Sequence, residues 1–300
     1  MRPKYITAHC VLKVKIRSKQ NMAIKIIIDS ASDISESEAI ELGVEMIPMV
    51  INFGIEEYYD GVDLLPNEFY NKLTTNKVLP KTSQISPFRF EEVFEKIVNN
   101  GDQAIVITIS SKLSGTYSSA LQASQKFNGK IKIIDSLSAA IGEWLLCKEA
   151  LKMISKKYSI DKIYDRLSEI KNNIVIMAVL DTLEYLKKGG RISKTVAFVG
   201  GMLNIKPIVS LVDGEVKMIG KTRGQKKGAD FMNTIISNNA VDLSLPFGTL
   251  YSGSDKSIGF EYAESLKEYF NNENLPVRIL GSTIGTHVGP GIFGIAYFKK

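Results

Sequence analysis

Residues 109–120 read Ile109-Ser-Ser-Lys-Leu-Ser-Gly-Thr-Tyr-Ser-Ser-Ala120, and this stretch defines the fold around it. The apolar run from Ala104 to Ile109 precedes it and is typical of a buried strand. Thr116–Phe127 follows, with apolar residues at helical spacing. A loop of hydroxyl side chains and one glycine lies between them. The order predicts a strand, a loop and a helix N-terminus, with free N–H and O–H groups gathered in the loop.

Such a loop is suited to an anionic group, because backbone N–H groups and hydroxyls can donate to a carboxylate or a phosphate. It contains no acid and no histidine, so it lacks a group that titrates near neutral pH and could perform acid–base chemistry. We therefore interpret it first as a carboxylate or phosphate site. The alternative is an ordinary loop in which a serine caps the following helix.

The composition indicates a globular protein with a large core. The chain has 300 residues, of which 44% are hydrophobic and 23% charged, and this length predicts two domains. No apolar run reaches the roughly 18 residues that span a bilayer, so we expect no stable membrane insertion. Two cysteines and two histidines exclude a disulfide framework and a histidine-rich metal site, and they favour a cytoplasmic location.

The net charge of +6 comes from the first 21 residues, which hold six basic side chains and no acidic one. The remaining chain has 32 basic and 32 acidic residues, so it has no basic surplus to indicate nucleic-acid binding. Lys13 and Lys15 interrupt the apolar part of this segment, which makes it a poor signal peptide. We predict that residues 1–21 are a basic extension outside the fold, which begins near Met22. A functional basic arm is the alternative.

Residues 22–158 are predicted to form an N-terminal α/β/α domain with a parallel sheet. Strand-like apolar runs alternate with helices, among them an amphipathic helix over Pro87–Asn99 and one capped by Ser35. Val44–Phe53 is predicted as one strand. Three strand ends carry polar residues, and ligand groups are expected at these carboxyl ends. They are Asp29-Ser30, Ser110-Ser111 and Asp135-Ser136.

Residues 159–300 are predicted to form a C-terminal α+β domain with a largely antiparallel sheet. Asp213-Gly214 indicates a hairpin over Pro207–Lys221. Asp181–Lys188 is predicted to be a short helix that ends at Gly189-Gly190.

Two segments resemble nucleotide-binding motifs in sequence but do not meet the structural requirements of those motifs. Gly289–Gly294 resembles a dinucleotide fingerprint, but only six residues follow it, too few for the required helix. Gly214–Thr222 has five residues between its glycines where a Walker A loop has four. A serine hydrolase or acyltransferase using Ser114 and His287 is the alternative function, although no Gly-x-Ser-x-Gly elbow accompanies Ser114.

Six motifs in order resemble the DegV family of two-domain α/β proteins, and the resemblance covers Met22–Phe298. Three positions depart from the family pattern: Ala31 and Val288 stand where threonine is common, and Ile85 where proline is frequent. The motifs are Ile28-Asp-Ser-Ala-Ser-Asp33, Pro80-Lys-Thr-Ser-Gln84, Ile109–Tyr117, Ile134-Asp-Ser136, Asp181–Ser193 and Ile284–Gly291.

The resemblance implies a protein that binds one long-chain, palmitate-like fatty acid and needs no cofactor, metal or ATP site of its own. It also implies a partner, an ATP-binding fatty acid kinase subunit that converts the presented carboxylate into acyl phosphate. By resemblance, Thr82 and Ser114 hold the carboxylate, and His287 lies close by. Arg191 faces the partner or the transferred phosphate, although an arginine on such a turn can also simply cap carbonyls. Additional loop contacts are expected from Ser83, Gly115 and Thr286.

The tail would supply most of the affinity. At about 0.8 kcal/mol per buried CH₂, a sixteen-carbon chain offers on the order of 10 kcal/mol before ordering costs. Candidate tail contacts are Phe198, Met202, Leu203 and Ile205, for which ordinary helix core is the alternative.

Overall fold

The computed structural model describes residues 22–192 and 204–300. The predictions for residues 1–21 and for Phe198, Met202 and Leu203 therefore lie outside the described residues. In the described ranges, no helix has both the length and the hydropathy of a membrane span.

The described residues contain thirteen strands and ten α-helices. The strands are β1 (Ile24–Asp29), β2 (Glu45–Ile47), β3 (Val50–Phe53), β4 (Glu56–Tyr59), β5 (Lys81–Ser83), β6 (Gln103–Thr108), β7 (Ile131–Asp135), β8 (Ile174–Val179), β9 (Ile205–Val212), β10 (Glu215–Arg223), β11 (Gly248–Tyr251), β12 (Val277–Ile279) and β13 (Phe293–Phe298). The helices are α1 (Glu36–Leu42), α2 (Pro66–Thr75), α3 (Pro87–Asn99), α4 (Thr116–Ser124), α5 (Ile141–Ser155), α6 (Ile160–Ile170), α7 (Glu184–Lys188), α8 (Gln225–Asn238), α9 (Ser257–Ser265) and α10 (Ser282–Val288).

The first sheet is parallel throughout, in the order β2-β1-β6-β7, which confirms the predicted N-terminal architecture. Its central strands are buried on both faces, since neighbours such as Ile27 and Ile28 are both fully buried. A parallel sheet covered on both sides requires such continuous apolar runs.

The second sheet has the order β10-β9-β8-β13-β11-β12 and is antiparallel except for the β11–β12 pair, as predicted. β9 and β10 form the expected hairpin. Its turn residues Asp213 and Gly214 both have positive φ, 51° and 80°. A two-residue turn of this kind matches the twist of the strands that it joins.

A third, three-stranded sheet of order β4-β3-β5 corrects the prediction of one strand over Val44–Phe53. The run is divided at Pro48, which lies between β2 in the parallel sheet and β3 in the small antiparallel sheet. Proline has no N–H group to donate within a sheet, so a strand interior is disfavoured there. A smaller correction concerns the helix predicted over Asp181–Lys188, which begins only at Glu184.

Helix α5 lies between the two large sheets and contacts strands β1 and β6 on one side and β8, β11 and β13 on the other. It is buried along most of its length, and one hydrophobic cluster extends across it from Ile28 to Phe298. Helix α6, which follows the predicted domain boundary at residues 158/159, packs on β6 and β7 of the first sheet. That boundary stays a prediction.

Candidate functional site

Three of the residues singled out in the sequence line a single cavity of about 260 Å³, whose wall includes residues of β8 and β9 in the second sheet and of the loop that follows β6 in the first. Thr82 lies on β5, Ser114 lies in the loop between β6 and α4, and His287 lies near the end of α10. Ser83 and Gly115 also line the cavity. Thr286 is not among the lining residues; it is buried, and its hydroxyl donates to the carbonyl of Ser282 within α10.

Thr82 and His287 meet directly. Thr82 Oγ1 lies 2.9 Å from His287 Nε2, across 205 residues of sequence. Thr82 is held in register with Ile51 of β3, so the small sheet that the sequence did not predict positions one of the predicted site residues. His287 Nδ1 has no hydrogen-bond partner in the described part of the chain.

Burial keeps His287 neutral at pH 7. Loss of solvent, and secondarily the nearby charge of Arg191, lowers the pKa of the imidazole to about 4. The ring lies against Gly189, where an added Cβ would overlap Nδ1. The Gly189-Gly190 stop of α7 therefore makes room for the histidine as well as ending a helix.

The hydroxyl of Ser114 belongs to a small cluster at the start of α4. It accepts a hydrogen bond from the backbone N–H of Thr116 at 3.3 Å and lies 2.9 Å from Thr116 Oγ1. This geometry includes the local contact expected of a serine beside a helix start. It also places Ser114 in the cavity wall.

Gln84 is a cavity residue that the sequence analysis did not single out. Its amide Nε2 donates to Ser119 Oγ at 3.1 Å, and its side chain packs so closely on Gly115 that a Cβ there would overlap it. Gln84 thereby joins the end of β5 to the Ser114 loop and to α4. Its position directly after Thr82-Ser83 was the available signal.

Arg191 also lines the cavity and joins the α7 turn to the Ser114 loop. Its Nε donates to the carbonyl of Leu113 at 3.2 Å, and its Nη1 donates to the carbonyl of Gly189 at 2.6 Å. Partial burial lowers the pKa of the guanidinium from its ordinary value. Arg191 therefore caps carbonyls, as one interpretation of the sequence expected, while it faces the cavity.

Apolar side chains from several elements make up most of the remaining cavity wall. Ile205, the described candidate for a tail contact, is not among them. Representative members are Ile176, Leu180, Leu186, Val209, Leu250 and Leu280.

Helix α10 begins against two carboxylates that the sequence analysis did not assign to the site. Asp33 Oδ1 accepts from the N–H of Gly281 at 2.7 Å. The two oxygens of Asp60 accept from the N–H groups of Ser282 and Thr283 at 2.9 and 3.1 Å. No local sequence signal could connect these acids to a helix more than 200 residues later.

The arrangement does not form a serine–histidine–acid triad. His287 Nε2 contacts Thr82 instead of Ser114. A triad would also need a carboxylate to orient the imidazole, and three acids that could be considered for this, Asp29, Asp135 and Asp181, have other partners. Asp29 accepts from Ala31 and Ile109, Asp135 from Ser111 and Leu137, and Asp181 pairs with Lys206. In the described ranges, no group of three or more His, Cys, Asp or Glu side chains is arranged to hold a metal ion.

Known proteins resemble this chain over nearly its whole length. Residues 23–300 match the model of the DegV family, which is described as uncharacterised. A DegV domain-containing protein of Caldanaerobacter subterraneus is 35% identical over 92% of this chain and 99% of its own. A DegV family protein from Thermus thermophilus, reported for its fatty acid binding, superposes with a TM-score of 0.83 at 30% identity, over 93% of this chain and all of that one. A stearic acid-binding protein from Eubacterium ventriosum gives a TM-score of 0.80 at 26% identity, over 92% and 98% of the two chains.

Proposed function

The chain belongs to the DegV family, and from that premise we propose that it binds one long-chain fatty acid and presents the carboxylate to an ATP-dependent kinase subunit. In the reaction of the presented carboxylate, one of its oxygens attacks the γ-phosphorus of ATP. The bond between that phosphorus and the oxygen that bridges it to the β-phosphate breaks, so acyl phosphate and ADP form. This chain supplies the acyl substrate, and the partner supplies the nucleotide site.

The observation that carries the proposal is that one cavity is lined by a few neutral polar side chains together with many apolar ones. Thr82, Ser114 and His287 bring neutral polar groups to it, and aliphatic side chains make up most of the rest. A buried carboxylate is strongly disfavoured without hydrogen-bond donors, whereas an alkyl tail gains free energy from every buried methylene. A molecule with one carboxylate and a long alkyl chain satisfies both kinds of side chain.

Neutral donors also suit a carboxylate that must later react. A buried arginine paired directly with it would stabilise the charge and reduce its ability to attack phosphorus. His287 is neutral at pH 7, and the Nε and Nη1 groups of Arg191 donate to backbone carbonyls. The polar groups of this cavity can therefore hold a carboxylate without an ion pair to the imidazole.

Native mass spectrometry of protein purified from cells tests the binding proposal. We expect one fatty acid per chain, and we expect Thr82→Val together with Ser114→Ala to lose it. Each substitution removes a donor to a desolvated carboxylate, which costs about 1.5–3 kcal/mol of affinity. Ser118→Ala, at an exposed position of α4, is the matched control and should retain the lipid. A lipid-free wild-type protein, or turnover of an ester through an acyl-serine at Ser114, would overturn the proposal in favour of another function.

Substitution of Arg191 tests the presentation of the carboxylate separately. We expect Arg191→Ala to keep its fatty acid while acyl-phosphate formation with the kinase subunit and ATP falls sharply. The planar guanidinium can hold two phosphate oxygens at once, and phosphoryl transfer depends on such positioning. Arg191→Lys should rescue only part of the transfer, because lysine keeps the charge without the fork.

Lys188→Ala is the control for charge loss on the same turn, since Lys188 is exposed and pairs with Glu184. Loss of lipid from Arg191→Ala would place the arginine in the carboxylate site. Normal transfer by Arg191→Ala would show that it acts only as a cap.

A further inference from the structure

Helix α10 forms part of the cavity wall but has no capping side chain of its own. It has seven residues, and Gly281, which precedes it, offers no side-chain acceptor. The N–H groups at a helix start need acceptors, and buried ones are costly to leave unpaired. Here the acceptors come from Asp33 and Asp60, in the first half of the chain.

Both acids are themselves fixed in place. Asp60 is only 2% exposed, and its backbone N–H donates to the carbonyl of Met49. Asp33 ends the short turn that follows β1, with a positive φ of 59° and its N–H bonded to the carbonyl of Ser30. The two carboxylates therefore hold the start of α10 in a fixed position.

His287 has little freedom to compensate if the start of α10 shifts. It lies five residues after Ser282, at 2.9 Å from Thr82 and in close packing with Gly189. Because α10 comprises only two turns, a displacement at its first N–H groups reaches the imidazole directly.

We propose that Asp60, supported by Asp33, is a positioning residue for His287: it holds the start of α10 and so sets where the imidazole meets the head group. The effect on lipid retention rests on the proposed function, whereas the effect on the imidazole does not.

The hydrogen-bond pattern predicts different responses at the two acids. Both oxygens of Asp60 accept, so Asp60→Asn turns an NH₂ group toward a backbone N–H. Asp33 accepts from Gly281 through Oδ1 alone, and its Oδ2 has no partner in the described residues. Asp33→Asn can therefore keep its hydrogen bond to Gly281, whereas Asp33→Ala cannot.

The test compares Asp60→Asn, Asp33→Asn and Asp33→Ala in the full chain, with Asp63→Asn as the control. Asp63 is exposed in the same loop as Asp60 and accepts from the N–H of Tyr59. The chain has two histidines, so NMR assigns the His287 ring signals by their loss in His287→Gln. In lipid-free protein, we expect Asp60→Asn and Asp33→Ala to shift these signals and Asp33→Asn and Asp63→Asn to leave them in place.

In lipid-loaded protein, we expect fatty acid to dissociate about tenfold faster from Asp60→Asn and Asp33→Ala. The acceleration should vanish in a His287→Gln background, because the acids act through that side chain. Unshifted ring signals in both variants would overturn the inference, and so would equal acceleration with and without His287. If Asp60→Asn does not fold, Asp33→Ala decides by the same measurements. A wild-type chain without lipid would instead refute the proposed function, and the ring signals would still decide the positioning role.

Discussion

At the scale of single residues, the polar lining of the cavity depends on burial that removes charge. His287 has a pKa of about 4, first because it is buried and second because Arg191 is near. An exposed histidine would be partly protonated just below neutral pH and would bind a carboxylate as an ion pair. Burial leaves a neutral ring beside the hydroxyl of Thr82.

The lowered pKa of His287 predicts a pH-dependent stability in lipid-free protein. Below pH 6.5 the unfolded chain binds a proton at His287 while the folded chain does not, so stability falls as the pH falls from 6.5 to 4. At pH 4, the free energy of unfolding lost through this residue is roughly 3 kcal/mol. Denaturant unfolding of wild type and His287→Gln at several pH values measures it, since the variant should lack this part of the acid destabilisation. Parallel pH dependences of the two proteins would contradict the neutral histidine.

At the scale of secondary-structure elements, a polar cluster joins α1, α5 and β12. Arg278 donates to both oxygens of Glu38 at 2.9 and 2.6 Å, and Trp144 Nε1 donates to the same carboxylate at 3.0 Å. Burial alone would raise the pKa of Glu38, but Arg278 lowers it below its ordinary value. Three elements from both halves of the chain thus share one carboxylate.

Removal of that carboxylate should loosen the two halves. The side chains of Glu38 and Arg278 are 25% and 13% exposed. Glu38→Ala therefore leaves a largely buried guanidinium without its carboxylate partner, and this should cost about 1–3 kcal/mol of unfolding free energy. Glu169→Ala is the control, because Glu169 pairs with Arg166 at the surface and should contribute less than about 0.5 kcal/mol. Urea unfolding of both variants measures the difference, and equal small losses would show that the cluster adds no stability.

At the scale of the whole molecule, the cavity is built by both halves of the chain. The first half contributes Thr82 and Ser114, and the second contributes His287, Arg191 and most of the apolar wall. Pairing of the first strand starts at Ile24 opposite Gln103.

Truncation of the chain tests whether residues 1–21 are dispensable. The free energy of unfolding of a chain that starts at Met22 should lie within about 0.5 kcal/mol of that of the full chain. The shorter chain should retain the proposed fatty acid. It should also lose the basic net charge, since all six surplus charges are removed. A chain that starts at Ile28 is the control and should unfold readily, because it lacks the buried Ile26 and Ile27. Thermal unfolding and native mass spectrometry give the result. A large loss of stability from the first truncation would show that the segment packs on the fold.

Local sequence determined most of the elements and the composition of the Ser114 loop. Helix α3 spans Pro87–Asn99 and strands β9 and β10 form the hairpin around Asp213-Gly214, both as predicted, because hydrophobic periodicity, helix caps and turn residues involve positions close to each other in the chain. The motifs also singled out Thr82, Ser114, His287 and Arg191, which the structure brings to one cavity.

Only the tertiary structure decided which distant groups meet. Pro48 separates a strand of the parallel sheet from a strand of the small antiparallel sheet. Arg278 pairs with Glu38, and Asp60 accepts hydrogen bonds from the first N–H groups of α10. The last two contacts each satisfy a buried charge or polar group with a partner that adjacent residues do not specify. The sequence by itself determines which groups need partners, and the packing of the two sheets around α5 determines which partners they receive.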